Sequence, residues 1–347
     1  MDETNVDEIA NFQVQQARIV VVGAGGAGCN TATRLKEIGV AGSTVIAMNT
    51  DAKHLAITKA DKKILLGKEL TRGLGAGGFP DVGKKAAEES KNDIRGALQD
   101  CDLLFLTCGL GGGTGTGATP VIAYLAKEMG AIVIAAVTLP FKIEGARIVK
   151  AEEGLQKLRE VCDTVIVVEN QKLIELAGNR PLRDAFAVAD GLIATMIKGI
   201  TETISQPSLV NLDYADVRTI MRSGGVATIG VGESDSQHRA REAITKALSH
   251  PLLDVDYTGA TGALIQVIGG EDLKLEEIDE IGQAVSQYMD PSALVMWGAR
   301  ILPEFQGRLQ VITIITGVKS PYILGKTGRA VASGKKVHND LGIEVLV

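Results

Sequence analysis

GLGGGTGTG, residues 109–117, stands between a nearly unbroken apolar run, Leu103–Thr107, and a segment with helical spacing, Thr119–Met129. Six glycines in nine residues leave a backbone with few Cβ atoms, whose N–H groups can close around an anion where a helix begins. A flexible linker would have neither a buried strand before it nor an apolar helix after it. Pro120 is expected in the first turn of that helix, where its missing N–H costs little. No GK[ST] sequence follows the glycines, so the lysine of a P-loop is absent. Backbone dipoles, the hydroxyls of Thr114 and Thr116 and a magnesium ion are expected to offset phosphate charge instead.

Upstream, Arg18–Val22 reads as a strand, GAGGAG at 23–28 as a strand-to-helix turn, Asn30–Ile38 as a helix and Thr44–Met48 as a strand. Gly23, Gly25 and Gly28 satisfy GxGxxG, and Asp51 follows some twenty residues later. Alone, that pattern favours a nicotinamide or flavin enzyme. A dinucleotide needs only one such turn, however, and this chain has two, with a third glycine-rich loop at 67–78 between them. Three loops suit a triphosphate better.

Downstream, Ile132–Thr138 and Thr164–Val168 continue the strand rhythm, which predicts a parallel sheet with its ligand at the carboxyl ends of the strands. A helix is expected over Leu182–Ser205, stopped at Pro207. Strands at Val226–Gly232, Ala263–Ile268, Ala293–Ala299 and Gln310–Gly317, with helices at Ser236–Leu248 and Leu275–Gln287, predict a second α+β domain. The divisions are 1–17, an N-terminal extension; 18–181, the nucleotide domain; 182–206, the connecting helix; 207–320, the second domain; and 321–347, a short tail.

Composition narrows the function classes. The 347 residues suffice for two domains, each expected to have its own core. A formal net charge of −6 argues against a broad nucleic-acid-binding face. The four cysteines form no CxxC pair and the four histidines no metal-ligand spacing, which suits reduced thiols in a cytoplasmic protein. The longest apolar run, near Ala131–Leu139, is too short to span a bilayer, so direct membrane insertion is not expected.

The motif GGGTGTG at 111–117 resembles the signature of the tubulin/FtsZ superfamily. GAGGAGCN (23–30), NTD (49–51), TRGLGAGG (71–78), TLPF (138–141) and NLDYADVR (211–218) are similar to the archaeal branch of the FtsZ family of cell-division GTPases. The resemblance runs from about Arg18 to Val318. It implies an α/β fold: a Rossmann-like parallel-sheet GTPase domain, a long connecting helix and a second α+β domain. It implies GTP and GDP as ligands with Mg2+, and assembly-dependent hydrolysis in head-to-tail filaments. Nucleotide-binding positions carried over are Gly25, Gly26, Ala27, Gly28, Cys29, Asn30, Asn49, Ala76, Gly77, Gly78, Gly112, Gly113, Thr114, Gly115 and Thr116. Asn30 and Asp190 are expected to read guanine, Phe186 to stack on it, and Glu144, Arg147 and Asn170 to lie near ribose. Here the chain departs from the family, which commonly has one more residue between the Glu-Gly pair and this arginine. Asp51 is expected to support magnesium through water.

No histidine or glutamine stands in the glycine loops to position the attacking water. Asp213 and Asp216 are acidic enough for that task, but a 24-residue helix of about 36 Å carries them away from the phosphates of their own chain. The resemblance implies that Asn211, Asp213 and Asp216 complete the pocket of the next subunit. An Asp N-cap at Asp216, before a helix at Val217–Arg222, is compatible with that role. The apolar heptapeptide Leu341–Val347 is expected either to dock a membrane-anchoring division partner or to pack on the domain. A filament for cell shape or DNA segregation would have the same motifs, and so remains an alternative to the division ring on the inner face of the membrane. A nicotinamide-dependent oxidoreductase leaves GLGGGTGTG unexplained.

Overall fold

The computed structural model describes residues 17–206, 208–223, 227–249 and 256–318. Pro207, Val226, most of the N-terminal extension and the tail with Leu341–Val347 lie outside these residues.

The first sheet is entirely parallel, in the order β3-β2-β1-β4-β5-β6. Its strands are β1 (Ile19–Ala24), β2 (Ser43–Asn49), β3 (Lys62–Leu65), β4 (Leu103–Gly109), β5 (Ile132–Leu139) and β6 (Thr164–Glu169). Every residue of β1 is buried, as a central strand covered on both faces requires. Sequence reading misses β3. It is a four-residue edge strand, KKIL, whose lysines face outward and give no apolar run; charged, short edges are how open sheets avoid pairing with other chains.

Twelve α-helices occur among the described residues. They are α1 (Gly25–Ile38), α2 (Ala52–Ile57), α3 (Lys68–Thr71), α4 (Pro80–Glu89), α5 (Lys91–Ala97), α6 (Thr114–Glu128), α7 (Ala146–Val161), α8 (Asn170–Ala177), α9 (Leu182–Ser205), α10 (Tyr214–Ser223), α11 (Arg239–Leu248) and α12 (Leu275–Ser286). Two start earlier than the sequence suggests. The helix expected from Asn30 begins at Gly25, and the one expected from Thr119 begins at Thr114, so Pro120 lies inside the helix rather than in its first turn. Glycines are poor helix formers in isolation, but here close packing overrides propensity. A Cβ on Gly28 would come 2.3 Å from the Thr107 carbonyl oxygen, and one on Gly117 would come within 1.9 Å of that of Pro80.

The second sheet is mixed, in the order β7-β10-β8-β9. Its strands are β7 (Ala227–Ser234), β8 (Ala260–Gly269), β9 (Met289–Ile301) and β10 (Leu309–Thr316). Each domain has a core of its own, one within Val20–Val167 and one within Ala240–Val318, and a further core joins them. One cluster runs from Ile19, Val21 and Phe105 through Ile193, Ile197 and Ile200 of α9 to Ile229, Leu264 and Ile314 of the second sheet. The long helix is apolar on both sides because it is sandwiched. A Cβ on its Gly199 would meet Ile312 Cδ1 at 2.5 Å, and Lys198 donates to the Gly39 carbonyl, 2.6 Å away, at the end of α1.

Candidate nucleotide site

The three glycine loops converge at the carboxyl end of the first sheet. A Cβ on Gly25 would lie 2.8 Å from the Gly115 nitrogen, and one on Gly113 would lie 2.8 Å from Ala76 Cβ and 2.9 Å from the Phe79 nitrogen. Two helix N-termini, those of α1 and α6, therefore stand side by side. The opening N–H groups of each have no partner within their helix and together form an anion-binding surface. Lys150 steadies the third loop: its Nζ donates to the Gly78 carbonyl at 2.8 Å and lies 5.4 Å from the centre of the Phe79 ring.

A cleft of about 1220 Å³ opens above these termini, with a contiguous annex of about 320 Å³. Of the residues singled out in the sequence, Gly26, Ala27, Asn30, Asn49, Asp51, Gly77, Gly78, Thr114, Arg147, Asn170, Phe186 and Asp190 line the cleft. Gly112, Gly113, Gly115 and Glu144 line the annex. Gly25, Gly28, Cys29, Ala76 and Thr116 lie behind the surface and support it. Gly25 and Gly28 permit close backbone packing. Cys29 is fully buried, and burial pushes its thiol up to about 11. The Thr116 hydroxyl accepts from the Gly111 nitrogen at 2.9 Å, which ties the loop to its own helix. Thr114 shares a 2.6 Å hydroxyl–hydroxyl bond with Thr50.

The wall of the cleft beyond α1 is set by α9, where the sequence places the base. Asp190 Oδ1 accepts from the Thr31 hydroxyl at 2.8 Å, and burial pushes its carboxyl up to about 6. Phe186 packs edge-on against Phe141, with ring centroids 5.6 Å apart, and keeps 39% of its surface exposed. Glu144 Oε2 receives Arg147 Nη1 at 2.6 Å and its Oε1 receives the Phe141 nitrogen at 2.9 Å. Asn170 is buried, and its Oδ1 has no hydrogen-bond partner in the protein. An orphaned buried acceptor beside a cleft is costly unless a ligand donor reaches it, and a ribose hydroxyl has the right chemistry.

Asp51 is the N-cap of α2, its Oδ1 accepting from the nitrogens of Lys53 and His54. Among the described residues no group of three or more His, Cys, Asp or Glu side chains could hold a metal by itself. That arrangement is compatible with Mg2+, which keeps most of its waters and binds phosphate oxygens with one or two carboxylates.

The proposed catalytic loop lies elsewhere. Asp213 caps α10, and Asp216 is the third residue of that helix, so the helix starts three residues before the expected Val217. The pair is reciprocal: the Asp216 nitrogen donates to Asp213 Oδ1 at 2.9 Å, and the Asp213 nitrogen donates to Asp216 Oδ2 at 3.0 Å. Asn211 Oδ1 accepts from the Ser208 nitrogen at 2.7 Å. Neighbouring Tyr214 donates its hydroxyl to the Asp102 carbonyl at 3.0 Å, just before β4 begins. The acidic loop thus sits at the start of the strands, and the glycine loops sit at their finish.

Sequence reading misses His54, Thr138, Arg34 and Arg183, all of which line the cleft. Thr138 was within reach, because it opens the TLPF motif at the end of β5. His54 follows NTD by three residues, but it has no metal-like spacing and lies outside the glycine loops.

The comparisons with known proteins fit this geometry. The model of the tubulin/FtsZ family GTPase domain matches residues 18–178, and that of the FtsZ family C-terminal domain matches residues 225–319. The chain belongs to the FtsZ family. Cell division protein FtsZ 2 of Methanocaldococcus jannaschii is 58% identical over 314 residues, covering 90% of this chain and 83% of the relative. Cell division protein FtsZ 1 of Thermococcus kodakarensis is 56% identical over 323 residues, covering 92% and 86%. A solved structure titled as an empty FtsZ dimer of M. jannaschii superposes with a TM-score of 0.83 at 51% identity, covering 91% of this chain and 93% of that one. The FtsZ-family chain is therefore a guanine-nucleotide-binding GTPase, and the nicotinamide oxidoreductase is set aside.

Asp190 gives this FtsZ-family site a pH dependence of definite sign. Burial raises its carboxyl to about 6, so the free protein loses stability as pH rises from the ordinary carboxylate range through that value; if Asp190 reads guanine, the N1–H and 2-amino donors offset that cost. Below about 6 the protonated acid offers a donor where an acceptor is needed. GDP affinity is expected to fall as pH drops through that value, by up to about tenfold per unit. Titrations from pH 7.5 to 5 check it, and a flat profile removes Asp190 from base recognition.

Proposed function

We propose that this chain hydrolyses GTP at the junction between successive subunits of a head-to-tail filament, and that the filament forms the ring at the division site. Support comes chiefly from the position of Asp213 and Asp216. They are held at the starting edge of the strands, and β4 alone has seven residues, roughly 23 Å of strand at 3.3 Å per residue, between Asp102 and the phosphate loops. A second copy stacked along this direction would bring its acidic loop to the cleft of the first. Such contacts between two different surfaces do not close, so they propagate as filaments.

Within that junction, the donors at the starts of α1 and α6 hold the phosphates, Asp190 and Asn30 read the base, Phe186 covers it, and Asn170 meets the ribose. Asp51 would help hold Mg2+ through water, and the ion would supply positive charge against the phosphates. The neighbour's Asp213 and Asp216 accept hydrogen bonds from the attacking water and are oriented by their mutual backbone bonds, while Asn211 shapes the same loop. The water oxygen bonds to the γ-phosphorus, the bond to the β–γ bridging oxygen breaks, GDP leaves with that electron pair, and one water proton passes by way of the neighbour's carboxylates to the released phosphate. Catalysis of this transfer depends on positioning and charge stabilisation more than on covalent chemistry.

Among the described residues no helix is long and apolar enough to cross a membrane. In this proposal the filament lies in the cytoplasm on the inner face of the membrane and is held there by an anchoring division protein bound to Leu341–Val347. The relatives' names favour division over cell shape or DNA segregation.

The test is GTPase activity per molecule against protein concentration, paired with electron microscopy with and without GTP and magnesium. Specific activity is expected to be negligible below a threshold and to climb above it together with filaments. A constant specific activity from dilute to concentrated protein would mean that one chain holds a complete site.

A further inference from the structure

We propose that His54 is a positioning residue that fixes which way the Asn30 amide faces, and so makes Asn30 a hydrogen-bond donor to the nucleotide. The inference rests on the reading of Asn30 as a nucleotide contact and adds to it the device that orients it.

The direction of each bond follows from one unambiguous donor. The backbone nitrogen of Asp51 donates to Asn49 Oδ1 at 3.2 Å. That oxygen is thereby placed, and Asn49 Nδ2 must face the other way. It lies 3.3 Å from His54 Nδ1 and 3.8 Å from the Cys29 sulfur. An amide NH2 has only donors, so His54 Nδ1 accepts and is unprotonated. A neutral imidazole then has its proton on Nε2, which lies 3.2 Å from Asn30 Oδ1. Asn30 uses its oxygen on the ring, and its NH2 group is left to serve the cleft that Asn30, Asn49 and His54 all line.

The relay is anchored at both ends. Asp51 Oδ1 caps the helix that carries His54 by accepting from the His54 backbone nitrogen at 3.1 Å, and the Thr58 hydroxyl donates to the His54 carbonyl at 2.8 Å. Asn49 is buried. The ring therefore stands between a fixed amide on β2 and an exposed one on α1. The chemistry presented to the ligand is complementary. Asp190 accepts from guanine N–H groups, whereas Asn30 donates to an acceptor such as guanine N3 or a ribose oxygen. Without the ring, the Asn30 amide can rotate and present either its oxygen or its nitrogen, and the donor is present only part of the time.

Three variants of the full chain test this, with GDP affinity measured by titration below the assembly threshold and the thermal midpoint of each recorded. His54→Leu is expected to weaken GDP binding about two- to threefold, because apparent affinity scales with the fraction of time the Asn30 donor faces the ligand. His54→Gln has an acceptor and a donor at a spacing close to that of the two ring nitrogens, and is expected to keep the parental affinity, a rescue that mere filling of space would not explain. Asn30→Ala removes the donor outright and is expected to weaken binding about five- to tenfold, the worth of one hydrogen bond, and adding His54→Leu to it is expected to cost nothing more. Additive losses, no loss in His54→Leu, or failure of the Gln variant to restore binding would overturn the positioning role. No loss in Asn30→Ala would instead remove Asn30 as a nucleotide contact, so the two failures are distinguishable. If His54→Leu does not fold, His54→Ala takes its place in the same comparison, with the same expected and overturning results.

Discussion

An Asp213→Ala chain is expected to bind GTP and assemble much as the parent does, and to lose turnover by about 10²–10⁴-fold, the usual worth of a group that handles the proton of the attacking nucleophile. Binding survives because no residue of the cleft or its annex comes from the loop at 208–213. The helix cap is weakened, since Asp213 Oδ1 receives the Asp216 nitrogen at 2.9 Å, at a cost of about 1 kcal/mol. Phosphate release and nucleotide titration on the same preparation separate the two effects; loss of nucleotide binding in the monomer would sink the assignment. Mixing gives a sharper readout. A chain unable to bind GTP still has an intact Asp213, and Asp213→Ala still has an intact cleft. In random copolymers about one junction in four joins the intact halves, so an equal mixture of two inactive chains is expected to recover roughly a quarter of parental turnover.

The second large effect is expected at Gly117. A Cβ there would lie 1.9 Å from the Pro80 carbonyl oxygen and 2.6 Å from the Lys84 nitrogen, both on the backbone of α4, so no flexible side chain can yield. Gly117→Ala forces α4 away from α6, and α4 carries with it the third glycine loop at Ala76–Phe79. A loss of about 3 kcal/mol is expected, the upper end for overpacking, together with loss of nucleotide binding. Gly26→Ala is the contrast. It has nothing within 4 Å of its added Cβ and no positive φ, so its thermal midpoint without nucleotide is expected to match the parent. Its position on the cleft wall nonetheless makes it weaken GTP binding. Equal thermal midpoints for the two variants would contradict this division of glycine roles.

That division qualifies what the glycine surplus means. The chain has 41 glycines, and fifteen fall in the three loops. By sequence they all look like phosphate cradle. Gly26, Gly77, Gly78, Gly112, Gly113 and Gly115 do line the cleft and its annex. Gly28 and Gly117 have another task, letting helix backbone lie against strand and helix backbone. The two roles share one residue type because both depend on the missing Cβ, and only the position of the neighbouring backbone separates them.

The parallel sheet, the long helix over Leu182–Ser205 and the second α+β domain were legible without coordinates, because buried parallel strands are near-continuous apolar runs and glycine turns punctuate them. The family, and with it the nucleotide, was legible because phosphate recognition is concentrated in short contiguous loops. Other features were not local in the chain. The start of α1 and α6 inside their glycine motifs depends on contacts with β4 and α4. The core shared through α9 depends on a second sheet covering the helix face opposite the first. His54 has an ordinary sequence context, and its place between Asn49 on β2 and Asn30 on α1 exists only after folding. The acidic pair Asp213 and Asp216 was legible in NLDYADVR, and the length of the helix before it already carried it away from its own phosphates; the strand direction and the Tyr214–Asp102 bond decide that it stands at the starting edge of the sheet. Residue identity determines what each group can donate or accept; the tertiary structure decides which groups meet, because that depends on distances no linear spacing encodes.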